Sequence, residues 1–467
     1  MKLYYNVKDK PNFGKVLVFA LQQLLAIMAA TIAVPAIIGN GMSPAAALFG
    51  AGVGTLVYLL FTKFKSPVFL GSSFAFLDSM GAAFAGAVTV AGGFLGLIIG
   101  AVLAGLVYVV LAIVAKATGT NWINKLMPAA VIGPTVAIIG LSLSGNAIGD
   151  LFKGNVVDAF NQQLASPYLA LVCGLVTLFV TILCSVYGKK MIKMIPFIIG
   201  ILAGYALAAI FTGIGYWKDI DELKIINFAL FNNIEWIPNF TFIKAFKGIK
   251  DFGEKGGFIE YLVTLIVAYV PVAFVVFAEH IADHKNLSSI IEQDLLKDPG
   301  LDKTLLGDGI GSMAGAFFGG CPNTTYGESV GCVAISGNAS IITIFTTSIL
   351  AMLISFFGPF STFLATIPSC VMGGVCVALY GFIAVSGLKM VQNVDLNDNR
   401  NLFVVSVILI AGVGGLALSF GKISITKIAC ALILGIFTNF ICNRGKKKEE
   451  VKENKENNVN NEEIENK

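Results

Sequence analysis

Hydrophobic positions along the chain fall in long runs nearly free of charge, broken by short clusters of Gly, Pro, Asn and Lys. Fourteen such windows lie near 16–38, 44–62, 67–87, 90–115, 126–145, 167–188, 194–216, 258–282, 304–320, 324–337, 340–358, 362–387, 401–420 and 425–443. The first, Val16–Ile38, holds 23 uncharged residues. That is enough to cross a hydrocarbon core of ~30 Å, and longer than the roughly 7–15 apolar residues of a signal peptide, so it reads as a retained first helix. Windows three and ten are short and interrupted by Ser72-Ser73 and Thr324-Thr325, next to Gly and aromatic residues that favour extended backbone. If they unwind at membrane depth, their free backbone groups must line a cavity or pair with each other, because lipid offers no partners. The pattern predicts an all-α polytopic membrane protein of fourteen transmembrane segments.

Lysine placement orients it. Short loops after even-numbered windows carry Lys63, Lys65, Lys116, Lys189, Lys193, Lys285, Lys389 and Arg400, whereas those after odd windows carry only Lys153 and Lys422. Positive charge concentrates on the cytoplasmic side, which places the even loops, residues 1–14 and the C-terminus inside. The segment 217–257 is expected to be an extracellular connection, since long loops largely escape this rule. The Lys-, Glu- and Asn-rich tail 444–467 is expected to be a disordered cytoplasmic extension.

An internal repeat changes the picture. Pro128-Ala129-Ala130-Val131-Ile132-Gly133 recurs as Pro368-Ser369-Cys370-Val371-Met372-Gly373, and Ser72–Phe76 loosely parallels Thr324–Glu328, both seven windows apart. Seven is odd, so the second half enters the membrane with opposite polarity. Two inverted repeats of seven segments are a secondary-transporter plan, with the site where discontinuous helices meet near the midplane.

Composition agrees: hydrophobic residues make up 56% and charged residues 13% of the chain, against about 25% charge in soluble domains. The net charge of +4 resides in membrane-edge and tail lysines; no basic stripe points to nucleic acid. The eight cysteines have no metal-ligand spacing.

The chemistry lies in charge set against this background. Glu279 follows 18 uncharged residues, Tyr261–Ala278, and Glu328 precedes 60 without a charge, up to Lys389. A carboxylate in a bilayer costs roughly 3 kcal/mol and marks a substrate or ion pathway. Glu328 follows Gly327, where the backbone can approach a ligand closely. Burial disfavours the charged form of a carboxyl, which fits Glu279 to load and release a proton. Asp283, at i+4 on the same helical face, is a candidate relay; His280 is a second, while His284 lies nearer water. Gln22 and Gln23 are hydrogen bonders at depth, glue between helices or part of the site. A flat solute with alternating donors and acceptors would suit such a cavity.

The runs GSSFAF (Gly71–Phe76), AEHIAD (Ala278–Asp283), KDPG (Lys297–Gly300) and PNTTYGE (Pro322–Glu328) resemble the nucleobase/ascorbate transporter (nucleobase:cation symporter-2) family, and within it the bacterial uracil permeases, over about Lys15–Cys442. The resemblance implies antiparallel strands in segments three and ten, a core domain (15–120 and 258–358), a gate domain (121–216 and 359–443), proton-coupled uptake at the cell membrane and a homodimer. It also implies that Glu279 and Glu328 hold the base, that the backbone of Phe74 and Gly327 completes the ring contacts, and that Ala30, Tyr326 and Tyr380 line the pocket. Two positions depart from the family. Gln22-Gln23 stands where many members have Gln-His, and Ser329-Val330-Gly331 stands where Asn-x-Gly is usual; these positions bear on purine versus pyrimidine choice.

The expected function is therefore uracil:proton symport by alternating access, with xanthine or urate as the alternative substrate. Expected partners are a nucleobase, the bilayer and a second copy, with no cofactor beyond the proton. An anion exchanger should present positive groups instead of two acids. A membrane-embedded metalloenzyme using Glu279, His280 and Glu328 is disfavoured, because adjacent Glu and His face different sides of a helix.

Overall fold

Three of the first four helices start where the sequence supplies a side-chain cap. Asn12 accepts from the Lys15 amide, Ser43 from Ala46 and Thr89 from Gly92, opening α1 (Phe13–Ile38), α2 (Pro44–Phe61) and α4 (Val90–Thr118). The structure, a computed structural model, describes residues 3–119, 127–158, 160, 162–189, 191–255, 257–420 and 423–443. The tail 444–467 lies outside them.

Windows three and ten are broken as expected. Strand β1 (Leu70–Ser72) leads into α3 (Leu77–Ala85), and β2 (Asn323–Thr325) leads into α12 (Gly327–Ser336). The strands pair antiparallel, Leu70 with Thr325, Gly71 with Thr324 and Ser72 with Asn323, and all six residues are buried. The two pieces of extended chain thus satisfy each other where lipid cannot.

The remaining elements are α5 (Ala129–Ser142), α6 (Ser144–Asp150), α7 (Pro167–Tyr187), α8 (Pro196–Lys218), α9 (Thr241–Lys255), α10 (Phe258–Ile291), α11 (Leu301–Gly319), α13 (Ile341–Ile354), α14 (Gly358–Thr366), α15 (Ser369–Val391), α16 (Asn399–Val413), a hairpin of β3 (Leu418–Phe420) and β4 (Ile423–Ile425), and α17 (Lys427–Asn443). Among the described helices, eight are long and apolar enough to cross a bilayer, or nine if the pair α13–α14, bent by 84°, is one span.

Several windows are cut differently from the sequence reading. Pro359 and Pro368 divide windows eleven and twelve into three helices, α13, α14 and α15. Window thirteen ends as helix at Val413 and gives way to the hairpin. The connection 217–257 is not irregular throughout: it ends in the amphipathic α9, whose Ala245, Gly248 and Phe252 pack inward against the body that contains α4.

Helix packing falls into two groups. In one, α1–α4 associate with α10–α13; in the other, α5–α8 associate with α15, and α16 and α17 pack on α5. Small residues set the closest approaches: a Cβ at Gly50 would lie 2.3 Å from the Gly315 carbonyl oxygen, and one at Gly140 would lie 2.2 Å from that of Tyr380. With no hydrophobic drive between helices in lipid, such backbone contact supplies the attraction. The repeat-related prolines occupy equivalent places, Pro128 and Pro368 being the N-caps of α5 and α15, which pack together.

Candidate functional site

On α10, Glu279 and Asp283 are one helical turn apart and face the same cavity, about 330 Å³ in volume. Gly327 and Glu328 reach it from the start of α12, where the chain re-enters helix after β2. The opposite wall comes from the other helix group: Val136 of α5, Pro196 and Phe197 of α8, and Phe382, Ile383, Ser386 and Met390 of α15. The sequence separates Asp283 from Gly327 by 44 positions, and the strand pair brings them together.

Four of the residues singled out from sequence, Glu279, Asp283, Gly327 and Glu328, therefore line one cavity on the seam between the groups. Phe74, Ala30, Tyr326 and Tyr380 do not line it. The Tyr326 hydroxyl donates to the Ser72 carbonyl at 2.8 Å, and its ring covers Gly71, so this side chain braces β1. Phe74 and Tyr380 meet edge to face across the seam, and Ala30 is fully buried in α1.

Hydrogen bonds fix the acids in place. The Thr325 hydroxyl donates to Asp283 at 2.8 Å, tying the cavity to β2. The Gln23 amide donates to the Ser329 hydroxyl at 2.5 Å, and the Phe69 amide donates to the same oxygen at 3.0 Å. Gln23 thus anchors the first turn of α12 beside Glu328 and acts as glue that positions the site.

His280 points away from the cavity. Its ring lies with Nδ1 2.6 Å from Asp308 and Nε2 3.1 Å from the Thr304 hydroxyl, fully buried. Nδ1–H of His284 donates to the His280 carbonyl at 2.8 Å, and its Nε2 lies 2.7 Å from the Tyr58 hydroxyl. Both histidines are committed to contacts inside the α2, α10 and α11 bundle.

The sequence reading passed over Asp308, Asp78 and Lys427, each a charge inside an apolar window. The available signal was a carboxylate between Gly307 and Gly309 in a membrane span. Asp308 is 1% exposed and balances the buried imidazole of His280.

The cavity's chemistry is that of three carboxyls, Glu279, Asp283 and Glu328, facing a mostly apolar wall that also carries Ser185, Ser386 and one cation, Lys193. Ionised, a carboxyl only accepts; protonated, it also donates, so it can match ring N–H and C=O groups and carry a proton. Among the described residues, no group of three or more His, Cys, Asp or Glu is placed to hold a metal ion.

A sequence model described as "Permease family" (Xan_ur_permease) matches residues 14–420. The chain is 36% identical to the "Uracil permease" of Bacillus subtilis (strain 168), covering 96% of this chain and 97% of that one. It is 37% identical to that of Bacillus caldolyticus (93% and 94% covered) and 34% to that of Escherichia coli (strain K12) (93% of each covered). Among solved structures, the transmembrane domain of a cyanobacterium bicarbonate transporter, BicA, superposes with a TM-score of 0.61 at 15% identity, over 93% of this chain and 99% of that one. SLC26A9 superposes with a TM-score of 0.63 at 11% identity, over 91% and 64%. At such identities the shared feature is the fold.

Proposed function

The chain belongs to the nucleobase/ascorbate transporter family of permeases, a family of multi-pass membrane transporters, and on that premise we propose that it imports uracil together with a proton. The observation that carries the proposal is the convergence of Glu279, Asp283 and Glu328, from separate parts of one helix group, on a cavity whose other wall belongs to the second group.

The core is residues 15–120 and 258–358, the gate is 121–216 and 359–443, and the core rocks against the gate. Fourteen spans in two inverted repeats underlie this, counting broken and short helices as spans. The paired β1 and β2 and the matching Pro128 and Pro368 caps support that symmetry. Both termini lie in the cytoplasm of a cell whose plasma membrane holds the protein as a homodimer.

Glu279 and Glu328 hold the base, with the backbone of Phe74 and Gly327 at its ring edge. Tyr326, Ala30 and Tyr380 shape the space around it once the seam opens. Glu279 takes up the proton that favours binding from outside. Release inside lets the proton leave past Asp283; His280 supports this step indirectly, through its place behind Glu279 on α10. Because uracil is neutral, each cycle moves one net charge, so the membrane potential contributes about 2.3 kcal/mol per 100 mV.

The test is uptake of labelled uracil into proteoliposomes under an imposed pH gradient, with unlabelled xanthine as competitor. Gradient-driven uptake resistant to xanthine is expected. Competition by xanthine at equal concentration assigns the cavity to purines, and uptake indifferent to the gradient sinks the proton coupling.

A further inference from the structure

The Asp78 carboxylate, in the first turn of α3, lies 3.6 Å from the Lys427 ammonium at the start of α17. These helices belong to different groups. We propose that this pair is an outer latch, closed while the cavity acids face the cytoplasm and open when they face outward; the proposal rests on the core-against-gate reading above.

Ser79, the residue after Asp78, donates to the Ala268 carbonyl at 2.7 Å. Ala268 precedes Glu279 on α10 by 11 positions (279 − 268), about 16 Å along the helix at ~1.5 Å per residue. The pair therefore sits well to one side of the cavity acids. Lysine placement identifies that side as external. Lys427 also donates to the Ser142 carbonyl at 3.2 Å, at the end of α5 where helix carbonyls favour a cation. The lysine is thereby seated on the gate and extended toward the core.

Both side chains are about one-quarter exposed, 27% for Asp78 and 25% for Lys427. With the seam shut, separating them leaves two half-buried charges without partners, which is costly. With the seam open to water, each is hydrated and the pair is worth little. An ion pair in this position favours the closed state only while the seam is dry, which is the behaviour required of a latch. By contrast, Lys65–Asp298 and Lys153–Asp150 each join residues of one group and cannot sense the movement.

A second cavity of about 280 Å³, lined by Pro35, Met42, Asp150 and Met372, lies on the same seam toward the other end of α1. Opening the latch widens this outer cavity toward the acids.

The test uses full-length protein in proteoliposomes. In the double variant Asp78→Cys with Lys427→Cys, a short bifunctional thiosulfonate is expected to lower uracil uptake at least tenfold, with recovery on reduction. Each single variant treated alike keeps its uptake. A second measurement covers poor folding of that variant: Lys427→Ala in a Met372→Cys background is expected to raise severalfold the rate of labelling by a membrane-impermeant thiol reagent from outside. Cross-linked protein that transports normally, a folded pair that fails to cross-link, or unchanged Met372→Cys labelling overturns the latch alone. Unmodified protein that takes up no uracil sinks the transport reading, and the latch with it.

Discussion

Tyr380 of α15 and Phe74 pack edge to face, with centroids 5.6 Å apart and planes at 83°. One residue belongs to each helix group, and along α15 Tyr380 falls between Met372, which lines the second cavity, and Phe382, which lines the cavity of Glu279. An aromatic pair of this geometry contributes about 0.5–1.5 kcal/mol beyond area burial. Tyr380→Phe, which keeps the ring, is expected to retain most uptake. Tyr380→Ala removes the barrier and is expected to lower steady-state uracil accumulation roughly threefold to tenfold, with a proton leak visible as faster collapse of an imposed pH gradient.

Proton coupling has a definite sign. Uptake should increase as the external side is made more acidic relative to the lumen. At one proton per uracil, each unit of gradient is worth about 1.4 kcal/mol, or roughly tenfold in equilibrium accumulation. Glu279→Gln cannot exchange the proton and should flatten this dependence or abolish uptake. Glu328→Ala should abolish binding. Full gradient-driven uptake in both variants would remove the assignment of the site.

The bond from Thr325 to Asp283 tests whether the strand pair holds the cavity acid. A hydrogen bond to a charged group is worth about 1.5–3 kcal/mol. Thr325→Val is expected to lower gradient-driven uptake about tenfold with normal expression, and Thr325→Ser, which keeps the hydroxyl, to restore it. Equal uptake in both variants means that β2 does not position Asp283.

His280 and Asp308 should behave as a structural pair. Removing one partner of a buried hydrogen-bonded pair leaves the other unsatisfied, at roughly 1–3 kcal/mol. His280→Ala and Asp308→Ala are each expected to lower the melting temperature in detergent by several degrees. The double variant should be no worse than the more damaging single. A pH profile altered at unchanged melting temperature would instead make His280 a direct proton carrier.

Much of this was legible in the sequence because the bilayer simplifies the rules. Charge is so expensive there that Glu279 and Glu328 stand out without any structure, and Ser72-Ser73 and Thr324-Thr325 announce extended chain for lack of helix propensity. What was hidden is directional. The resemblance implies that Tyr326 lines the pocket, and only the structure shows its ring lying over Gly71, where any Cβ would collide with it. His280 is one residue from Glu279 but about 100° away around the helix, and only the neighbouring α11 decides that it meets Asp308. Asp78 and Lys427 lie in apolar windows far apart in sequence, and their pairing depends on how two helix groups meet. The break before Pro368 was likewise hidden, since the uniformly apolar sequence on both sides of it reads as one continuous window, 362–387.

Gly71 offers the sharpest test of the crossing strands. A Cβ there would stand 2.2 Å from the nearest Tyr326 ring carbon and 2.8 Å from its hydroxyl oxygen, so Gly71→Ala must displace a ring held by the bond to Ser72. Overpacking of this kind costs typically 1–3 kcal/mol, and here the displaced residue directly precedes Gly327 and Glu328. Stability and uracil affinity should therefore fall together. Tyr326→Phe, which loses only the hydrogen bond, should cost about 0.5–1.5 kcal/mol and leave binding within a few-fold of normal. Adding Tyr326→Leu to Gly71→Ala frees the space beside the new methyl group and should recover part of the lost melting temperature. Recovery of stability without recovery of uracil binding would show that the ring, and not merely the strand register, shapes the site. If Gly71→Ala changes neither property, Tyr326 does not pack on β1 in the working protein.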